Sequence, residues 1–142
     1  DFLNELVDCG VSGFRFDAAK NIALPEEGCD FWTRVINGIK NKDDLLLYAE
    51  LIFCPKDMVD KYCKYIKVLT DSIGSDRSKM ITFIESHDSY LDDVIGYTKK
   101  MSNDRVISEY GILCSVYNNT LFYNRPFSDM YKDNRIKSSN YQ

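Results

Sequence analysis

The chain is poor in the residues that mark several large protein classes. Three prolines and seven glycines in 142 residues are too few for a collagen-like or low-complexity chain. Hydrophobic residues at 44% against 28% charged exclude a disordered one. No apolar run approaches the roughly 18 residues of a membrane span. The 18 Lys and Arg are outnumbered by 22 Asp and Glu, for a net charge of −4. They form no cluster of the kind that marks a nucleic-acid or anionic-membrane surface, so neither partner is expected. The five cysteines are odd in number and contain no C-x-x-C pair. Neither a complete disulfide framework nor zinc-type spacing follows, and buried free thiols are expected at all five. Histidine occurs once, as His87.

What remains is one domain's worth of chain with alternating periodicities. Residues 1–9 place Phe2, Leu3, Leu6 and Val7 at helical spacing, and Gly10 ends the pattern. Residues 11–17 alternate as a strand, with Phe14 and Phe16 on one face and Arg15 and Asp17 on the other. A helix is predicted over 29–40, a buried strand over 45–53, and a short helix over 55–62 with Pro55 in its first turn. Strands are predicted over 64–71 and 80–88, a helix over 104–117, a strand over 119–126, and a polar loop over 128–142. Strands alternating with helices imply a parallel sheet and an α/β fold. One interval resists this scheme. Between the strands at 64–71 and 80–88 only SIGSDRSK remains, and a parallel crossover needs about a dozen residues. Either a helix is missing there or the first strand begins earlier.

Three of these strands end in acids: Asp17, Glu50 and Asp88, at intervals of 33 and 38 residues. The C-terminal ends of parallel strands share one face, so the three acids are expected to converge. Arg15, two residues before Asp17, projects to the same side and holds that carboxylate ionised, as a nucleophile requires; the plain alternative is a strand-end ion pair. Glu50 interrupts an otherwise apolar run. Burying it costs several kcal/mol unless it is paired with a Lys or Arg or takes up a proton, and a raised affinity for a proton suits a general acid. His87 and Asp88 line the same site only if the strand has become loop by Asp88, because alternation sends neighbours to opposite faces. Glu85 is either a further site carboxylate or a partner behind it. Lys20 and Asn21 follow Asp17 in the loop, and on composition alone are loop residues.

At GFRFDAAKN (13–21), AE (49–50) and FIESHD (83–88) the chain resembles the α-amylase family, glycoside hydrolase family 13, in three of its four short conserved regions and in order. NTLFYNRP (119–126) is similar to the last barrel strand of some bacterial members. The resemblance implies a partial (β/α)₈ TIM barrel, roughly strands four to eight, occupying 1–142, with the N-terminal part of the barrel absent. It implies retaining hydrolysis of α-1,4-glucosidic bonds in an α-glucan or maltooligosaccharide. In that scheme Asp17 is the nucleophile, Glu50 the acid/base and Asp88 the transition-state-stabilising acid. Arg15 contacts the nucleophile, His87 binds sugar hydroxyls, and Lys20 lines an aglycone subsite. The family often binds calcium, and the backbone carbonyl of Asn21, which stands where histidine is usual, is the one ligand expected here. The other usual ligands belong to the family's first conserved region, which this chain lacks. An open barrel leaves two unpaired edges, so the isolated chain is expected to be poorly folded and of low or no activity. Two further readings use the same residues: a non-catalytic α-glucan-binding remnant of the fold, and a divalent-metal cluster of strand-end acids. Arg15 opposes the latter, since a cation beside a ligand repels a metal.

Overall fold

A computed structural model of the chain describes residues 2–91, 97–123 and 125. Four strands, β1 (Gly13–Phe16), β2 (Leu46–Leu51), β3 (Lys67–Thr70) and β4 (Met80–Ile81), form one all-parallel sheet in the order β1-β2-β3-β4. Each strand therefore lies beside its predecessor in sequence. In register, Phe16 faces Ala49, Glu50 faces Leu69, and Leu69 faces Ile81. Gly13 is required at the first pairing: a Cβ there would lie 2.2 Å from the Leu46 carbonyl oxygen.

The helices are α1 (Phe2–Asp8), α2 (Phe31–Gly38), α3 (Lys56–Tyr62), α4 (His87–Leu91) and α5 (Asn103–Val116). Gly10, at φ 93°, closes α1: its N–H donates to Val7 O and the next N–H, of Val11, to Leu6 O. That is the double bond of a Schellman stop, and the positive φ suits glycine. Trp32 of α2 is fully buried, edge-on to Phe16 of β1 and Tyr62 of α3. Leu47, Ala49, Leu51 and Val68 complete this core from the sheet, so one face of the sheet packs on helices. The alternate positions Arg15, Tyr48, Glu50 and Leu69 line a cavity on the other face. There Leu46 is 43% exposed, an apolar side chain with no layer over it. No helix among the described residues is long and apolar enough to cross a membrane.

Several expected elements are shorter than their sequence patterns. The strand expected over 64–71 begins at Lys67, because α3 runs to Tyr62 and turns through Cys63–Ile66, with Ile66 N–H donating to Tyr62 O. Pro55 caps α3 from outside its first turn. The strand expected over 80–88 stops after Ile81, extended only by a parallel bridge between Thr82 and Thr120. Beyond it the Ser86 and Ser89 side chains cap one another's backbone N–H groups, at 3.2 and 2.8 Å, and start α4. This reciprocal cap satisfies two donors that a helix start leaves open, and it overrides the strand pattern. Likewise 119–126 contributes the single bridge at Thr120 rather than a strand; residues 124 and 126 and the loop at 128–142 lie outside the described residues. All five cysteines are free, but Cys9 and Cys114 are exposed and Cys29 partly so. Only Cys54 and Cys63 are buried, and burial pushes the Cys63 thiol up to about 11.

The short crossover is real. Residues 71–79 join β3 to β4 with one 3₁₀ turn, Arg77–Lys79, and no α-helix. Asp60 of α3 takes the place of helix packing as the anchor, accepting from Ser75 N–H at 2.6 Å and Ser75 Oγ at 2.9 Å. Lys56 donates to the same carboxylate at 2.5 Å. Gly74 slides beneath: a Cβ there would lie 3.0 Å from Val59 Cγ1. The Lys56 ammonium and the Ser75 N–H hold the Asp60 carboxyl at about 2, below its ordinary 3.8. A depressed folded-state pKa gives stability that is complete above 3.8 and lost as pH falls toward 2. Asp60→Asn is expected to lower the thermal midpoint at pH 7, with the gap from the parent closing over that window. A gap independent of pH would show that Asp60 acts through shape alone.

Candidate active site

The site grows from the strand ends on the open face. β2 is apolar on the face that meets the helices, so its one acid, Glu50, projects to the other side and is still only 8% exposed. A carboxylate desolvated to that degree needs a cation and N–H donors. Both come from the neighbouring strand and its loop. Arg15 Nη2 hydrogen-bonds Glu50 Oε1, and the same nitrogen lies 2.9 Å from Asp17 Oδ1. The Ala18 N–H donates to Glu50 Oε2 at 3.1 Å. To do so, Ala18 adopts a left-handed conformation, φ 46°, as the chain turns from β1 into the 3₁₀ turn Ala19–Asn21. Tyr62 of α3 braces that turn from below, its hydroxyl 2.8 Å from Ala19 O and 2.5 Å from Ile22 O. Asp17 itself stands clear, its side chain 75% exposed.

The second half of the site comes from α4. His87 and Asp88 open that helix, with His87 Nε2 3.2 Å from Asp88 Oδ1 and both side chains about half exposed. The condition set by alternation is met, since the strand has ended well before Asp88. Two cavities meet at Glu50. One of about 160 Å³ is bounded by Arg15, Tyr48, Glu50 and His87, among others. The other, of about 200 Å³, is lined by Ala18, Lys20, Glu50, Ile52, Phe53 and Asp88. Arg15, Asp17 and Glu50 are thus in direct contact, while Lys20, His87 and Asp88 join Glu50 only across cavities. Lys20 also acts as a tie: its ammonium donates to Ile52 O at 3.1 Å and joins the loop after β1 to the end of β2.

Other expectations fare differently. Glu85 is buried and turned onto Arg125, with contacts of 2.7 to 3.1 Å. Asn21 donates its amide to Ala18 O at 3.2 Å. Its carbonyl would be one donor toward a calcium ion that takes six to eight oxygens. Among the described residues no three acids, histidines or cysteines gather at one point. The described residues therefore do not by themselves form a calcium site. The same geometry counts against a metal cluster of strand-end acids, because Arg15 occupies the space between two of them.

The sequence pattern gave no sign of Phe53. It stands as the last residue of an expected strand, yet β2 ends at Leu51 and Phe53 is a non-glycine residue at φ 57°, 62% exposed beside Glu50 and Asp88. Its N–H donates to Asp71 Oδ1 at 3.0 Å, which holds the unfavoured conformation. The run LLLYAELIF, apolar but for Glu50, carries no mark of that turn.

The Arg15 bridge is open to direct measurement. Arg15→Met leaves Glu50 buried without its cation. The expected loss is about 2 kcal/mol in urea unfolding, below the roughly 3–5 typical of a wholly buried pair because Arg15 is a third exposed. Adding Glu50→Gln, which needs no counter-ion, is expected to recover at least half of it. Additive effects in the double variant would show that the two side chains are not coupled.

Comparison with known proteins adds a relationship to this geometry. No family model matches the chain. It is 26% identical to an α-amylase of Butyrivibrio fibrisolvens over 195 aligned positions, covering 96% of this chain and 20% of that protein. It is 31% identical to an α-amylase of Clostridium acetobutylicum over 118 positions, covering 63% of this chain and 15% of that protein. The chain spans a fifth or less of the length of these relatives, and an alignment of 195 positions on 142 residues opens gaps within it. By sequence it is distantly similar to α-amylases.

Proposed function

We propose that this chain carries the catalytic acids of a retaining glycosidase of the α-amylase kind (glycoside hydrolase family 13), cutting α-1,4-glucosidic bonds in starch, glycogen or maltodextrin. The observation that carries the reading is the Arg15 bridge at the C-terminal ends of two neighbouring parallel strands. Two oxygens on a common hydrogen-bond donor lie within about 6 Å of each other. That supports a retaining arrangement, with carboxyls roughly 5–5.5 Å apart, over an inverting one at about 6.5–9.5 Å.

In the proposed cycle a protonated Glu50 gives its proton to the glycosidic oxygen as Asp17 attacks the anomeric carbon. The bond to the leaving sugar breaks and a glycosyl ester on Asp17 forms. Glu50, now a carboxylate, takes a proton from water, whose oxygen attacks the same carbon and releases Asp17. Asp88 lends negative charge to the oxocarbenium-like transition state, and His87 binds sugar hydroxyls. Lys20 and the exposed ring of Phe53 flank the leaving-group side. For Glu50 to carry a proton, Arg15 must keep Asp17 and yield its place beside Glu50 to the substrate. The fold supports a partial (β/α)₈ barrel: the parallel strands follow in chain order, helices cover one face, and Leu46 lies uncovered on the other. The remaining strands would come from polypeptide outside these 142 residues.

One observation favours a second reading, α-glucan binding without turnover. Among the described residues β1 pairs only with β2, and Arg15 bonds both Glu50 and Asp17, which suits holding a sugar hydroxyl as well as cleaving a bond. Reducing-end release from soluble starch separates the two, measured on the chain alone and with a polypeptide supplying the missing strands. Activity in the mixture is expected, with Glu50→Gln lowering kcat by about 10³-fold and KM changing little, in the range of lost general acid catalysis. A folded mixture that binds maltooligosaccharide in EDTA without cleaving it would establish the binding reading. Phe53→Ala is expected to raise KM about fivefold to tenfold, a contact of roughly 1 kcal/mol, at unchanged kcat; an unchanged KM would remove the ring from the substrate path.

A further inference from the structure

The half of the site that bears His87 and Asp88 is held from a distance. Glu85, two residues before His87, has a side chain only 1% exposed. Arg125 grips it through Nε, at 2.9 and 3.1 Å to its two oxygens, and through Nη2 at 2.7 Å. The same guanidinium donates from Nη1 to Asn103 Oδ1, the first residue of α5, at 2.7 Å. Nη2 also reaches Met101 O at 3.1 Å and Thr98 O at 3.5 Å. Its carbon sits 5.0 Å over the ring of Tyr90, inside α4. One planar fork therefore fixes the approach to α4, the body of α4 and the start of α5 against one another. Lysine, with a single charged nitrogen, lacks the geometry to do this.

Parallel contacts draw the same elements together. Tyr110 Oη of α5 accepts from the N–H of Glu85 at 3.3 Å and from that of Tyr123 at 3.2 Å. Thr98 Oγ1 donates to Ser89 O at 2.8 Å. Arg125 lines neither of the two cavities that meet at Glu50. We propose that Arg125 is a positioning residue, which through Glu85 sets where His87 and Asp88 stand relative to Glu50. What those two residues then do rests on the glycosidase reading; that Arg125 places them does not.

The lone histidine makes the test direct. In the whole chain, the imidazole Cε1–H signal in a ¹H–¹³C spectrum belongs to His87 alone. It would be compared in the parent, Arg125→Lys, Glu85→Gln and the exposed control Arg34→Lys. Arg125→Lys is expected to move or split the signal while far-ultraviolet circular dichroism is retained, and Arg34→Lys to leave it in place. In the starch assay with the completing polypeptide, Arg125→Lys is expected to lower kcat about 10²-fold, the effect of a misplaced catalytic group, with KM within about threefold. Should Arg125→Lys fail to fold, Glu85→Gln decides, because it keeps an acceptor oxygen for the fork while removing the charge. A parent His87 signal in whichever variant folds would overturn the proposal. So would a moved signal with parent kcat in an active mixture. A parent chain without turnover would instead count against the glycosidase reading, and the His87 signal would still decide the role of Arg125.

Discussion

One guanidinium between two acids is the constraint on which the rest of the site depends. Glu50 lies on a strand buried on its other face by Leu47, Ala49 and Leu51, and it loses most of its water. An isolated carboxylate there would destabilise the strand by several kcal/mol. Arg15 answers this from the adjacent strand, with its own register fixed by the pairing of Gly13 with Leu46 and Phe16 with Ala49. Gly13 matters to the site for that reason. Its missing Cβ lets β1 come close enough to β2 for the side chain two residues on to reach Glu50.

The loops above the strand ends are stitched in sequence order. Lys20, after β1, bonds the carbonyl of Ile52 after β2. Phe53 N–H and Cys54 O, after β2, bond Asp71 Oδ1 and Ser72 Oγ after β3. Each pin joins one loop to the next, so the rim is rigid without a large core of its own. The strain at Ala18 and Phe53 is local to this rim, and each strained residue directs an N–H at a carboxylate. The energy of those two bonds offsets conformations that cost of order 1–3 kcal/mol. The nine-residue crossover from β3 to β4 is tolerated for a related reason: its anchors, Asp60 and Ser75, are polar and lie away from the acids.

How much of this was legible in the sequence depended on range. Alternation through Phe14 and Phe16 gave the face of Arg15, and a single acid in an apolar run marked Glu50 as a residue in need of a partner. That the partner would be Arg15, already assigned to Asp17, was not readable, because periodicity within a strand says nothing about who lies across it. The shortness of 72–79 left two readings open, a missing helix or an earlier strand, and the segment holds one 3₁₀ turn with no α-helix. The ends of strands were misread wherever side chains intervened: Ser86 and Ser89 turned a strand pattern into a helix start, and Tyr62 carried α3 to the edge of β3. Glu85 and Arg125 lie 40 residues apart. The only hint of their union was an acid and a cation standing within two short, largely apolar stretches.

The two halves of the site therefore differ in kind. Arg15, Asp17, Glu50 and Lys20 belong to successive strand–loop units, and their contacts close as soon as two neighbouring strands pair. His87 and Asp88 sit on five residues of helix, too short to be stable alone. They are held by a fork whose base lies beyond α5. Loss of that fork leaves the first half intact and frees the second, so local opening of the α4 region should precede unfolding of the sheet.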